Sequence, residues 1–277
     1  MSDGPDPALV AAISEAIERR SAARGGELLV VGICGAQGSG KTTLAGAVAQ
    51  ALRSHGTATA VLSLDDLYLT RAERRRLARE VHPLFATRGV PGTHDVALGL
   101  ATLDSLARGD AAELPRFDKA ADDRAPRQQW DRAPERTRVV LFEGWCVGAM
   151  PQGEDALIAP VNVLEASEDA QGIWRRHANH ALAGPYAALF GRIGLLVLLA
   201  APGFEVVRGW REQQEAELRK RAGPDASGVM SPGEVERFIR HYERLTRHIL
   251  QEMPARADLV VRLGPDRRVE RIETRMG

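Results

Sequence analysis

Eight residues, Gly35-Ala36-Gln37-Gly38-Ser39-Gly40-Lys41-Thr42, follow a short apolar run at 28–34 and lead into Thr43-Leu44-Ala45-Gly46-Ala47-Val48-Ala49, whose apolar spacing is helical. The pattern G-x-x-x-x-G-K-T between a buried strand and a helix is a P-loop, and it restricts this part of the chain to a strand, a phosphate-sized turn and a helix. Glycines let successive N–H groups curl inward at phosphate oxygens, Lys41 reaches the β- and γ-phosphates, and the Thr42 hydroxyl is placed to ligate Mg²⁺. The eight residues and Thr43 are therefore the candidate nucleotide-binding set. Only Lys41, Lys119 and Lys220 are lysines among 37 basic residues. A compact ammonium at Lys41 sits between phosphates as a point charge where a planar guanidinium fits differently. Lys220, in a charged helical stretch, reads as part of a solvated face.

Composition narrows the partners. A chain of 277 residues with 44% hydrophobic and 27% charged residues is long enough for a sizeable core and is not a disordered chain. A formal net charge of zero offers no global attraction to nucleic acid or to an anionic membrane, so neither is expected as a partner. Cys34 and Cys146 have neither metal nor redox-motif spacing and read as reduced thiols, which fits a cytoplasmic setting. Asp3 and Asp6 stand near the N-terminus where a secretory signal would carry basic residues, and the most apolar stretch, 193–202, is too short to span a bilayer.

Apolar runs recur at 28–34, 58–64, 139–142, 195–200 and 259–263, with helical patterns between most of them. Alternating buried strands and helices predict an α/β fold, a mainly parallel sheet covered on both faces in a three-layer sandwich. Such strands put functional loops at their carboxyl ends, where the P-loop, Asp65-Asp66 and Glu143-Gly144 all fall. A single domain over 1–277 is expected. Within it, 1–26 holds an amphipathic helix with the stripe Leu9, Val10, Ile13 and Ile17, 82–136 holds loops and a helix, and 201–222 is a candidate lid. The stretches 82–95 and 114–136 lack strong periodicity, and long structureless loops in a compact domain are usually functional or disordered. Their charged and aromatic residues favour function. Ser231-Pro232-Gly233-Glu234 predicts a capping box opening a helix, along which Arg237, His241, Arg244 and His248 form a stripe expected to face solvent.

Phosphoryl transfer needs held phosphates, a metal, charge stabilisation and an oriented nucleophile. Asp65, in Ser63-Leu64-Asp65-Asp66-Leu67-Tyr68 at the end of the second strand, is placed to accept a proton from an acceptor hydroxyl; the competing reading is a helix N-cap. Glu143 follows an apolar strand and is, with Thr42, a candidate Mg²⁺ ligand, the competing reading being a structural carboxylate. Arg208 and Arg211, after the Pro202-Gly203 break, are candidates to neutralise charge on the transferring group, although Glu215 with Arg219 and Glu217 with Arg221 mark much of that helix as salt-bridged surface. Arg88, His94, Lys119 and Arg124 are candidate cationic donors to an anionic acceptor, while Asp95 and Asp118 are candidates to bind its hydroxyls. Asp66, Tyr68 and Trp145 belong to the same candidate acceptor set. Each loop cation also has the plain reading of a surface salt bridge. Phe85, Phe117, Trp130 and Trp145 are the main loop aromatics, too few to advertise nucleoside stacking.

These residues resemble the P-loop kinases of small metabolites that include uridine kinase, pantothenate kinase and phosphoribulokinase, through Ser63-x-Asp65-x-x-Tyr68 and Glu143-Gly144. Within that group, Arg88-Gly89-Val90-Pro91-Gly92-Thr93-His94-Asp95, Pro115-Arg116-Phe117-Asp118-Lys119-Ala120 with Asp122-Asp123-Arg124, and Glu143-Gly144-Trp145-Cys146-Val147-Gly148 are similar to the D-glycerate 3-kinase branch. Further similarity lies at Asn162-Val163-Leu164-Glu165, Trp210-Arg211-Glu212-Gln213-Gln214-Glu215 and His241-Tyr242-Glu243-Arg244-Leu245-Thr246. The resemblance implies a P-loop NTPase sheet of five strands, ATP with Mg²⁺, and γ-phosphoryl transfer to a hydroxyl of D-glycerate or a similar hydroxy acid, with Asp65 as base and Lys41 as phosphate ligand. Leu67 departs from it, standing where the group often has an aromatic residue. Related kinases exchange acceptors on one core, so a nucleoside, a pantothenate-like compound or a sugar phosphate are alternatives. A regulatory P-loop ATPase is the alternative of another class. A GTPase is disfavoured, because Asn162 and Asn179 are the only asparagines and no Asn-Lys-x-Asp occurs.

Overall fold

The computed structural model of the protein describes residues 4–222 and 231–275. Asp6 opens α1 (Pro7–Ala23) by accepting the Ala8 N–H at 2.8 Å, with Pro7 at the first helical position, where its missing N–H costs nothing. Then follow β1 (Leu29–Gly35), the P-loop, α2 (Lys41–Ser54), β2 (Thr59–Ser63) and α3 (Arg71–Glu80), which opens on a Thr70/Glu73 capping box. Next come α4 (Val96–Ala107) and four two-residue strands, β3 (Glu113–Leu114), β4 (Phe117–Asp118), β5 (Asp123–Arg124) and β6 (Asp131–Arg132). The chain continues through β7 (Val139–Gly144), α5 (Val163–Glu168), α6 (Ile173–Ala183), α7 (Pro185–Phe190) and β8 (Ile193–Ala200). It closes with α8 (Phe204–Ala222), α9 (Pro232–Glu252), β9 (Leu259–Leu263) and β10 (Val269–Thr274).

The main sheet has the order β10-β9-β8-β1-β7-β2. Strands β2, β7, β1, β8 and β9 run parallel and coincide with the five apolar runs, while β10 pairs antiparallel with β9 as a sixth. The sequence hides β10 because Val-Glu-Arg-Ile-Glu-Thr is a polar edge strand without a buried residue, whereas every residue of β1 is buried. Alternate residues of β1 and β7 enter opposite cores. Leu29, Val31, Ile33, Val139 and Leu141 pack with Ile13 and Ile17 of α1 and Leu44 and Val48 of α2. Val30, Cys34, Val140 and Phe142 pack with α4, α7 and Tyr242 of α9. Helices on both faces explain why the strands read as continuous apolar runs.

Register sets the working edge. Ser63 and Ile33 both lie opposite Glu143, so the carboxyl ends of β2, β1 and β7 finish level with one another. The stretch 82–95 contains a 3-10 turn, Pro83–Ala86, and 114–136 is folded into two small hairpins, β3 with β6 and β4 with β5. Pairs this short leave no alternation to read.

The expected solvated stripe on α9 is corrected. Its capping box forms, yet Arg244 is buried, with Nε and Nη2 at 2.8 and 2.6 Å from the Glu165 carboxylate and further bonds to the Ala156 and Ala159 carbonyls. Glu165 is fully buried, and the guanidinium satisfies both of its oxygens. His241 is buried too, edge-on to Trp174 at 5.8 Å, so the middle of the stripe is an interface with α5 and α6, while Arg237 stays exposed. The Glu215/Arg219 and Glu217/Arg221 pairs and Lys220 lie outside the residues whose side chains are described.

Candidate active site

At the nucleotide end, the P-loop turns on a left-handed Gly38 with φ +79, whose added Cβ would stand 2.7 Å from Trp210 Cβ. Only glycine serves both the backbone conformation and the close approach of α8. Trp210 is buried, and its indole N–H donates to the Pro265 carbonyl at 2.7 Å. Lys41 and Thr42 begin α2, whose free N–H groups and positive dipole end face the loop. Thr42 Oγ1 donates to Glu143 Oε1 at 3.0 Å across the carboxyl edge of the sheet. Glu143 is 2% exposed, and its Oε2 has no hydrogen-bond partner, as is true of the buried Ser39 Oγ. A buried carboxylate oxygen left open beside a hydroxyl matches a hydrated Mg²⁺ that takes most of its ligands from water and phosphate. No group of three or more His, Cys, Asp or Glu forms a separate metal cage among the described residues.

Asp65 follows β2 in a 3-10 turn, Leu64–Leu67. Ser63 is the N-cap of that turn, accepting the Asp65 N–H at 3.3 Å, so capping is not the duty of Asp65. Both Asp65 oxygens are engaged: Tyr68 OH donates to Oδ1 at 2.8 Å and Lys119 Nζ donates to Oδ2 at 2.7 Å. Burial pushes the Asp65 carboxyl up, but the charges of Lys119 and Lys41 and the two hydrogen bonds outweigh it and hold it well below the usual carboxylate range. Asp66 goes the other way. Burial raises it against the Phe117 N–H and the Arg116 charge, which reach its oxygens at 3.0 and 2.6 Å. Adjacent carboxylates thus divide, one turned to the site and one tied to the β4 segment. Tyr68 is buried and its hydroxyl raised well above the ordinary range by burial and by the Asp65 charge, so it stays a neutral donor.

The remaining acceptor-side residues form a connected scaffold. Arg88 pairs with Asp122 and lies 5.6 Å from the Phe117 ring centre, while its carbonyl accepts the Tyr242 hydroxyl at 3.0 Å. Gly89 next to it has φ +133, and an added Cβ would overlap that hydroxyl. Trp145 is buried and donates to the Gly89 carbonyl at 2.8 Å. Arg124 pairs with Asp95 at 2.9 Å, and Asp95 also caps α4 through the Leu98 N–H at 2.9 Å. Asp118 accepts the Ala120 and Ala121 N–H groups at 2.8 and 3.0 Å, closing the β4–β5 turn.

Several expectations are corrected here. His94 is not a cationic donor: it is buried, stacks on Tyr68 at 4.6 Å, and faces the Tyr186 hydroxyl through Nδ1 at 2.6 Å. Burial drives its pKa down to about 3. The same hydroxyl accepts the Gly92 N–H at 3.0 Å, so Tyr186 joins His94 to the backbone of the 82–95 loop. Asp66, Asp95 and Asp118 serve backbone and arginine partners of the scaffold rather than standing free for substrate hydroxyls. Arg208, over half exposed, pairs with Glu212 at 3.0 Å and approaches Glu236 at 4.0 Å. Arg211 lies 5.5 Å from the Phe238 ring centre, and its charge reaches Tyr242.

Arg74 is the residue that sequence reasoning missed. It is 1% exposed and binds the Leu69, Ala86 and Asp122 carbonyls at 3.2, 3.0 and 2.7 Å and the Asp122 carboxylate at 2.9 Å. Its surroundings, Arg71-Ala72-Glu73-Arg74-Arg75-Arg76, look like a solvated helix face, and nothing local singles it out.

Residues 30–150 match the model of the phosphoribulokinase/uridine kinase family. The chain is 37% identical over 229 residues to a Schizosaccharomyces pombe protein named "Uncharacterized kinase mug58", with 78% of this chain and 79% of that one aligned. It is 32% identical over 225 residues to the chloroplastic D-glycerate 3-kinase of Arabidopsis thaliana, covering 77% of this chain but 46% of that protein. A solved D-glycerate 3-kinase from Cryptococcus neoformans var. grubii superimposes with a TM-score of 0.79 at 26% identity, over 97% of this chain and all of that one. No helix among the described residues is long and apolar enough to cross a membrane.

Proposed function

The chain belongs to the phosphoribulokinase/uridine kinase family, a group of P-loop kinases, and on that premise we propose that it transfers the γ-phosphoryl group of ATP to a hydroxyl of D-glycerate or a similar small hydroxy acid. The observation that carries this reading is the position of Asp65 at the carboxyl edge of the sheet, bonded to Lys119 at 2.7 Å on one side and within electrostatic reach of Lys41 on the other. One lysine belongs to the phosphate loop and the other to the acceptor-side hairpin. A carboxylate between the two suits an acceptor hydroxyl.

The P-loop amides and Lys41 hold the triphosphate, and Thr42 with Glu143 would hold Mg²⁺, which would supply charge neutralisation for the phosphates. Asp65 accepts a hydrogen bond from the acceptor hydroxyl and fixes the line of attack. As the acceptor oxygen bonds to the γ-phosphorus, the bond to the bridging oxygen breaks with its electron pair staying on ADP, and the hydroxyl proton passes to Asp65. Lys119 supplies the cation for the acceptor carboxylate, and Arg211 on α8 offers charge to the transferring group. The relatives named D-glycerate 3-kinase support this acceptor class. So does the acceptor side itself, since Phe85, Phe117 and Trp145 are all buried in the scaffold rather than displayed as stacking planes for a nucleoside.

The test is mass-spectrometric product detection with pure protein, ATP and Mg²⁺, D-glycerate and a panel of other hydroxylated metabolites, beside an Asp65→Asn control. A phosphoglycerate peak that vanishes with Asp65→Asn supports both acceptor and base. Another phosphorylated product keeps the kinase and discards this acceptor. ADP release with no phosphorylated acceptor moves the weight to a regulatory ATPase.

A further inference from the structure

Five cations around the acceptor side, Arg74, Arg88, Arg116, Lys119 and Arg124, have partners that differ in kind. Arg74 and Arg88 pair with Asp122, Arg116 with Asp66 and Asp131, and Arg124 with Asp95, all carboxylates of the scaffold. Lys119 pairs instead with Asp65, the reactive carboxylate. It is also the most exposed of the five side chains, at 60% against 2, 27, 36 and 21% for Arg74, Arg88, Arg116 and Arg124. Its backbone is nonetheless fixed. Asp118 closes the turn that carries it, Asp122 with φ +54 ends that turn between the guanidinium groups of Arg74 and Arg88, and Phe117 packs under both. A rigid hairpin therefore presents a single long, flexible cation to Asp65, so the ammonium can change partner without any loop closing.

We propose that Lys119 is a placeholder for the acceptor: it occupies Asp65 until an acceptor with an anionic group arrives, then moves to that group and leaves Asp65 to the acceptor hydroxyl. The proposal rests on the preceding reading of the site and adds a mechanism of selectivity to it. An anionic acceptor gives the ammonium a new carboxylate in exchange for the one it yields, so the displacement is nearly balanced. A neutral polyol must break the Lys119–Asp65 pair with nothing in return. Water is disfavoured as well. With Tyr68 on Oδ1 and the Lys119 ammonium on Oδ2, Asp65 is a weakened base. Hydrolysis would form a bond from water oxygen to phosphorus, break the bridging bond onto ADP and pass the water proton to Asp65, and that last transfer is the step the ammonium opposes.

Lys119→Met and Lys119→Arg test this against D-glycerate, glycerol and no acceptor. A charge-assisted hydrogen bond is worth about 1.5–3 kcal/mol, roughly 10–100-fold, so Lys119→Met is expected to lower the kcat/KM preference for D-glycerate over glycerol by that factor, mostly through the KM for D-glycerate. Acceptor-free ATP hydrolysis by Lys119→Met rises several-fold. Lys119→Arg, which keeps the charge, restores most of the preference and keeps hydrolysis low. Equal losses on both acceptors, or a preference and a hydrolysis rate that do not move, overturn the proposal. Should wild-type protein phosphorylate neither compound, the acceptor reading of the preceding section fails, and the hydrolysis comparison alone decides the placeholder: a rise in Lys119→Met supports it, no rise ends it.

Discussion

The two ends of the site are built by different means. At the nucleotide end the groups facing phosphate are backbone amides, and their geometry follows from a contiguous run of eight residues in which glycines permit the turn. At the acceptor end the geometry comes from side-chain ion pairs among Asp66, Arg74, Arg88, Asp95, Arg116, Asp122, Arg124 and Asp131, residues from four separate segments. A backbone cradle needs few residue types and tolerates little change. A side-chain network can be rearranged one pair at a time, which suits a family whose members share ATP chemistry and differ in acceptor. The two ends meet at Asp65, which feels Lys41 from one and Lys119 from the other.

The largest expected effect is therefore at Asp65. General-base catalysis is worth about 10²–10⁴-fold, so Asp65→Asn should lower kcat by that factor while ATP affinity, measured by calorimetry, stays within about threefold. A matching loss of ATP binding would show that the two ends are not separable. Arg74→Met comes next. Leaving a buried acceptor without its donor costs about 1–3 kcal/mol, and here the Leu69 and Ala86 carbonyls both lose Arg74, together with its ion pair to the half-buried Asp122. Denaturant unfolding should show that loss. In the surviving folded fraction the acceptor KM should rise with ATP affinity unchanged, because Arg74 holds the hairpin that carries Lys119 and touches nothing of the P-loop. Full stability in Arg74→Met would mean the hairpin is held by Arg88 alone.

A smaller effect separates the ends by pH. His94 has a folded-state pKa near 3 against the ordinary 6.5, because burial disfavours its charged form. Between those values the unfolded chain binds a proton that the folded chain refuses, so stability from this site is intact above about pH 6.5 and is lost as pH falls toward 3. At pH 5 the loss is about 2 kcal/mol. His94→Asn keeps an acceptor for the Tyr186 hydroxyl and cannot be protonated, so its stability should fall less steeply over the same interval. Parallel profiles for the two proteins would assign acid sensitivity elsewhere.

The same contrast governs what the sequence discloses. Five parallel strands are legible because both faces are covered and most positions are apolar; β10 is not, since its polar residues pair only on one edge. The P-loop is legible because spacing within eight residues determines its shape. Asp65 and Glu143 are legible as acidic residues ending apolar runs, and the Thr42–Glu143 bond agrees with that placement. The duties of Asp66, Asp95, Asp118 and His94 are not, because a carboxylate that binds a backbone N–H looks in sequence like one that binds substrate. Arg74 and Arg244 show the opposite failure. Each sits among charged helical residues, and only the position of a partner, 48 residues from Arg74 and 79 from Arg244, reveals that it is buried.

Distance from the base should grade the effects within the acceptor network itself. Arg116 bridges two carboxylates, Asp66 at 2.6 Å and Asp131 through Nε at 3.0 Å, but Asp66 is 13% exposed and Asp131 is 61% exposed. The inner contact is protected from solvent and is shared with the Phe117 N–H; the outer one is screened by water. Asp131→Ala should accordingly change stability by no more than about 1 kcal/mol, with salt weakening even that, and should leave the acceptor KM within about threefold. Asp66→Ala in parallel should cost more on both readings, because it leaves Arg116 and the Phe117 N–H without their shared buried partner beside Asp65. If the two variants behaved alike, the network would be acting as one exposed charge cluster, and the division between a screened outer pair and a buried inner pair would be wrong.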